Sequence, residues 1–146
     1  MKLINEMKIV FLSKSVNESF ARTTVSAFVA SLDPTISELA DIKTAVSEAV
    51  TNSIVHAYKD TVGFIYISAL IYENGKIIIK IKDKGCGIEN VKKAMEPLFT
   101  TGGEERAGLG FAVMQSFTDK IRVTSKPGKG TTVTLEKTIL PRVSAK

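Results

Sequence analysis

The sequence predicts an α+β fold in which helices lie over one face of an antiparallel or mixed sheet. Two capping boxes, Ser15 with Glu18 and Thr35 with Glu38, open amphipathic stretches early in the chain. Two β-branched runs then flank Asn74-Gly75, a hairpin signal because both turn residues tolerate positive φ. Towards the end, a helical stretch leads into a second pair of strand-like runs.

Taken in order, residues 8–12 form a short β-prone run, and Ser15 starts a helix to about Ala30. Glu18 and Arg22 fall on its polar face, with Phe20, Val25, Phe28 and Val29 available for burial. Pro34 breaks the chain. Thr35 then caps a longer helix in which Ile36, Leu39, Ile42, Val46, Val50 and Ile54 keep helical spacing to an end near Tyr58. Residues 64–72 and 77–81 read as strands. Residues 91–108, interrupted by Pro97, Gly102 and Gly103, lack periodicity and read as a flexible loop. A helix is expected over residues 109–117, then strands over 121–125 and 131–135. Residues 1–140 are expected to close one domain, with 141–146 a disordered tail.

At 44% apolar residues, 146 residues suit one ordinary core. The net charge of +5 is compatible with an anionic ligand, an acidic protein partner or nonspecific nucleic-acid contact. The lysines are spread along the chain without a basic helix interleaved with aromatics, so direct nucleic-acid binding is disfavoured. One cysteine and one histidine exclude an internal disulfide and any Cys/His zinc cluster made within the chain. No apolar stretch is long enough to span a bilayer, and the N-terminus has no signal-like run. The expectation is a cytoplasmic protein with no membrane contact.

Three segments carry candidate chemistry. Glu48, Asn52 and His56, four residues apart, stack along one helix face. Glutamate accepts a hydroxyl proton and an asparagine carbonyl is a hard ligand for Mg²⁺, although a solvated helix face carries the same residues. His56 reads as a packing or hydrogen-bonding residue, and Cys86 as incidental. Ile77, Ile79, Ile81 and Asp83 alternate onto one side of a strand, so a carboxylate terminates an apolar row. It could receive an adenine amine or cap the turn that follows. Gly85 and Gly87 next to it suit either a turn or a close backbone approach to a ligand. Gly108, Leu109 and Gly110 are expected to open a helix whose amides and dipole receive phosphate. Thr100, Thr101 and Arg106 before it could close over a triphosphate or belong to an ordinary loop. Gly130, Thr131 and Thr132 read first as hairpin chemistry.

In that order, Glu48-Ala-Val-Thr-Asn52, Asp83-Lys-Gly85-Cys-Gly87, Gly108-Leu-Gly110 and Gly130-Thr-Thr132 closely resemble the motif boxes of the gyrase, Hsp90, histidine-kinase and MutL ATPase superfamily. The resemblance spans nearly the whole chain. It implies a two-layer α/β sandwich with a left-handed βαβ arrangement, the Bergerat-type ATP-binding fold with helices on one face of a mixed sheet. Within the superfamily, Glu18-Ser-Phe-Ala-Arg22, residues 47–58 and Pro97-Leu-Phe-Thr-Thr101 look like the anti-sigma serine kinases of sporulating bacteria. Gly102 and Gly103 depart from that pattern, standing in place of a basic residue and a proline.

This resemblance implies a homodimeric kinase that binds ATP or ADP with Mg²⁺, sequesters a sigma factor and phosphorylates a serine of an anti-anti-sigma partner. It makes Glu48 the general base, Asn52 the Mg²⁺ ligand and Asp83 the adenine reader, with Gly85 and Gly87 shaping the pocket. Gly108, Leu109 and Gly110 would flank the phosphates, Thr100, Thr101 and Arg106 would line a lid, Thr132 would lie near adenine and Arg22 would contact a partner. Two other readings share the nucleotide boxes: the catalytic domain of a histidine kinase, and a nucleotide-dependent binding module with little turnover.

Overall fold

The computed structural model describes residues 1–96 and 103–140, and for residues 103–108 the backbone alone. The described residues form one sheet of β1 (Leu3–Leu12), β2 (Phe64–Tyr72), β3 (Lys76–Asp83), β4 (Lys120–Lys126) and β5 (Gly130–Thr138), in the order β1-β2-β3-β5-β4. Four helices accompany it: α1 (Val16–Val29), α2 (Ile36–Asn52), the single turn α3 (Val91–Ala94) and α4 (Gly103–Phe117).

All neighbouring strands pair antiparallel, so the mixed sheet is corrected to an antiparallel one. The reason is topological. β3 and β4 run in the same direction and are joined through α4, but the β4–β5 hairpin returns β5 between them, so the parallel strands never share a hydrogen-bond ladder. The hairpin at Asn74-Gly75 forms, but only Gly75 takes positive φ, at 85°; its N–H donates to the Tyr72 carbonyl at 2.9 Å, so Glu73 and Asn74 make the turn and the glycine follows it.

Of the two capping boxes, the one at α2 closes completely: Glu38 N–H donates to Thr35 Oγ1 at 3.0 Å and Thr35 N–H to Glu38 Oε1 at 2.8 Å. Ser15 makes no such bond, because it already has helical backbone angles and its hydroxyl is not turned towards the first-turn amides. Asn17 ties that end instead, its side-chain amide donating to the Leu12 carbonyl at 2.9 Å.

Strand alternation decides which sheet face is covered. Ile65, Ile67, Ala69 and Ile71 of β2, Ile77, Ile79 and Ile81 of β3, and Val133 and Leu135 of β5 form the core with Val25 and Val29 of α1 and Ile42, Val46 and Val50 of α2. Phe20, expected inside, is 50% exposed and instead meets Phe11 edge-on at 6.1 Å; the smaller Ala21 takes the buried position beside it. Among the described residues no helix is long and apolar enough to cross a membrane.

After Asn52 the helix widens into a π turn, Ser53–Ala57, and stops at Tyr58, whose N–H reaches back to the Ser53 carbonyl at 3.1 Å. The buried Tyr58 hydroxyl then serves two strands, donating to the Phe64 carbonyl and accepting the Lys84 N–H, each at 2.7 Å. Tyr58→Phe removes both bonds without changing the ring. It is expected to lower the unfolding free energy by about 1–3 kcal/mol, read as a lower urea midpoint with an unchanged slope.

Candidate functional site

β3 delivers its last side chain to the helix-covered face because Asp83 continues the row Ile77, Ile79, Ile81. It is a carboxylate 4% exposed at the end of an apolar strand. Such a group requires donors. Oδ1 accepts the Gly85 N–H at 3.0 Å and the Thr131 N–H at 3.2 Å, while Oδ2 accepts the Ser53 hydroxyl at 3.1 Å. Burial disfavours the charged form and lifts the Asp83 pKa above the ordinary aspartate value, against the opposing pull of these three bonds.

Close backbone contacts hold the donors in place. Cys86 N–H donates to the Ala57 carbonyl at 3.0 Å, and a side chain at Gly85 would collide with that carbonyl. On the other flank Gly128 N–H donates to the Cys86 carbonyl at 2.7 Å. Gly87, at φ 76°, lies so near the Lys126 carbonyl that a Cβ has no room, and Gly130 lies equally near the Asp83 carbonyl. Ser125 completes the seam by accepting Ile88 N–H at 2.8 Å and bonding Thr131 Oγ1 at 2.8 Å.

Between the π turn, the β3 exit and α4 lies a cavity of about 1060 Å³, whose wall includes Asn52, Ser53, Asp83, Gly87, Phe111 and Thr131. Its size suits a nucleotide-sized ligand. Asn52 Nδ2 is buried and makes no hydrogen bond, so the amide retains polar capacity beside the cavity, and its oxygen is the type of hard donor Mg²⁺ accepts alongside water and phosphate. Among the described residues no cluster of three or more His, Cys, Asp or Glu could hold a metal. A cation here would therefore depend on Asn52 and the ligand's own oxygens. Glu48, one turn earlier, stands off the cavity wall, with Oε2 3.3 Å from where a Cβ on Gly110 would lie.

The glycine segment of α4 departs from expectation. α4 begins at Gly103, six residues before the predicted start, so Gly108, Leu109 and Gly110 lie within a helix rather than at its N-terminus. Interior amides are engaged in the helix ladder and are not presented to phosphate. Gly110 has a packing role: a Cβ there would stand 3.1 Å from both terminal atoms of Asn52, so glycine lets α4 lie directly against α2. Leu109 is 53% exposed and off the cavity wall.

Thr132 faces the opposite side of the sheet, beside Lys80 and Lys82, because Thr131 pairs with Asp83 and the pleat turns the next residue outward. Thr131 is the cavity residue. It was legible from the period-two pattern, since Val133 and Leu135 share its face. Ser53 was missed because nothing in the sequence marks a π turn. Thr100 and Thr101 lie outside the described residues, as do residues 141–146, and of Arg106 only the helical backbone is described. Arg22 lies off the cavity wall on α1, 3.8 Å from Glu18 and donating to Ser19 Oγ at 3.3 Å. His56 and Cys86 both line the cavity, and the Cys86 thiol donates to the His56 carbonyl at 3.3 Å.

Comparison with known proteins gives the family and the fold. The model of the histidine kinase-like ATPase domain matches residues 13–137. The anti-sigma F factor of Caldanaerobacter subterraneus is 62% identical over 140 residues, which cover 95% of this chain and 97% of that protein. That of Clostridium acetobutylicum is 52% identical, covering 92% and 94%. Among solved structures, the RsbU and RsbW domains of a Mycobacterium tuberculosis protein superpose with a TM-score of 0.68 at 19% identity, over 97% of this chain and 35% of that one. A histidine kinase domain from Erythrobacter litoralis gives 0.56 at 16% identity, over 84% and 60%. These two likenesses bear on the fold alone. A family model matched over residues 13–137 and relatives matched nearly end to end lead to one assignment: the chain belongs to the anti-sigma F factor family of the histidine kinase-like ATPases.

Proposed function

We propose that this chain is an anti-sigma factor and an ATP-dependent protein serine kinase. It binds Mg-ATP, sequesters a sigma factor as a nucleotide-bound homodimer, and phosphorylates a serine of an anti-anti-sigma partner. The observation that carries the nucleotide reading is the cavity on which Asp83 and Asn52 converge from different elements. The names of the relatives support the sigma-factor partner.

Asp83 accepts the exocyclic amine of adenine, while Val133 and Phe111 provide apolar wall. Asn52 would hold Mg²⁺, which when bound offsets the charge of the phosphates. Glu48 takes the proton of the acceptor serine as its oxygen bonds to the γ-phosphorus. The bond to the β,γ-bridging oxygen breaks, and ADP leaves. Arg22, on α1, contacts the partner.

With phosphoryl transfer from labelled ATP to an anti-anti-sigma protein as the assay, Glu48→Ala is expected to slow formation of acid-stable phosphoserine by about 10²–10⁴-fold while nucleotide still binds. An unchanged rate in a folded variant removes Glu48 from the base role. Acid-labile phosphohistidine would instead identify histidine-kinase chemistry.

Asn52→Ala should weaken ATP binding in the presence of Mg²⁺ more than in a chelator. Equal losses would detach Asn52 from the metal.

Because its folded-state pKa is raised, ionised Asp83 costs stability at neutral pH, a cost relieved as pH falls through that value. Asp83→Asn is therefore expected to fold with undiminished stability at pH 7 while losing about tenfold in ATP affinity. Affinity of the unaltered protein should also fall on acidification, starting above the ordinary aspartate range, since protonation of Asp83 removes acceptor capacity from the carboxylate. Isothermal titration across pH checks both, and the asparagine variant should lack the acid limb.

A further inference from the structure

Ser53 is 5% exposed, and its hydroxyl reaches Asp83 Oδ2 from the π turn. The contact has a bland account, in which a buried hydroxyl finds an acceptor. The distribution of donors around the carboxylate suggests a more specific one. Both backbone donors, from Gly85 and Thr131, converge on Oδ1 and fill its two acceptor positions. Oδ2 receives Ser53 alone and keeps one acceptor position, the one Asp83 can offer to the cavity. Without Ser53 the carboxylate could pivot about its anchored Oδ1, and the oxygen that meets the ligand would be the one left without a side-chain guide.

From this geometry we infer that Ser53 is a specificity-determining positioning residue: acting through Asp83, it aims Oδ2 at the exocyclic amine of a purine nucleotide. The π turn fixes Ser53 for this task, because its carbonyl is held by the Tyr58 N–H at 3.1 Å and the turn is locked to the β3 exit by the Cys86–Ala57 backbone bond. The inference rests on the nucleotide reading above, and it concerns selection among bases rather than phosphoryl transfer.

The test compares ATP with purine riboside triphosphate, which differs only in carrying hydrogen in place of the 6-amino group, by equilibrium binding to the intact chain and to Ser53→Ala. A purely structural role would weaken both ligands alike. A positioning role lowers affinity for ATP by about tenfold and leaves the amine-free analogue within about twofold. Ser53→Thr, which keeps the hydroxyl, should restore the preference for ATP. Ser53→Cys, of similar size and weaker as a donor, gives the same readout where the alanine variant does not fold. If the intact chain discriminates between the two nucleotides and the Ala and Cys variants discriminate equally well, or lose both ligands in parallel, the inference is overturned and the nucleotide reading stands. If the intact chain binds both nucleotides equally, Asp83 does not read the amine, and both fall together.

Discussion

The rest of this site depends on satisfying one carboxylate buried at the edge of the core. Asp83 sits at the end of an apolar strand row, and the donors that compensate its burial come from its own loop, from the π turn after α2 and from β5. The Gly85 bond is local to the turn, but the Ser53 and Thr131 bonds form only once the tertiary fold brings those segments to β3. The carboxylate therefore brings the β3 exit, the π turn and the β4–β5 hairpin into register, and these segments also wall the cavity. Burial disfavours the ion, the donors oppose that effect, and the remaining acceptor capacity makes the group useful to a ligand.

What was legible in the sequence follows the range of the interactions involved. The Thr35–Glu38 box is local chemistry and forms as written; the Asn74-Gly75 hairpin is local as well. Asp83 could be placed on the core face because strand alternation is strict. Alternation also identifies Thr131 rather than Thr132, a one-residue distinction that motif resemblance passes over and the pleat settles. Ser53 depends on helix widening, for which no residue pattern exists, and the burial of Ala21 in place of Phe20 depends on how much room lies beneath α1.

The start of α4 was misjudged for a different reason. Gly102, Gly103, Gly108 and Gly110 lower helix propensity, and propensity alone favours a loop. Contact with α2 overrides it, and at Asn52 that contact is close enough that a Cβ on Gly110 would press on the amide at 3.1 Å. The same residue that weakens the helix in isolation permits the packing that holds it. α2 consequently presents Asn52 both to the cavity and to a neighbouring helix, so the position of α4 and the orientation of that amide are mechanically joined.

The crowded glycines around the cavity also bear on what a genetic screen would report. Gly85, Gly87 and Gly130 need touch no ligand for substitutions there to be severe, since each added side chain would strike the carbonyl of a neighbouring segment. Random mutagenesis scored by loss of function would return them beside Asp83 and Asn52 with similar phenotypes. Suppressor patterns separate the two groups. Lesions at the glycines are relieved by changes that let the opposing loop recede, whereas a missing carboxylate has no backbone remedy.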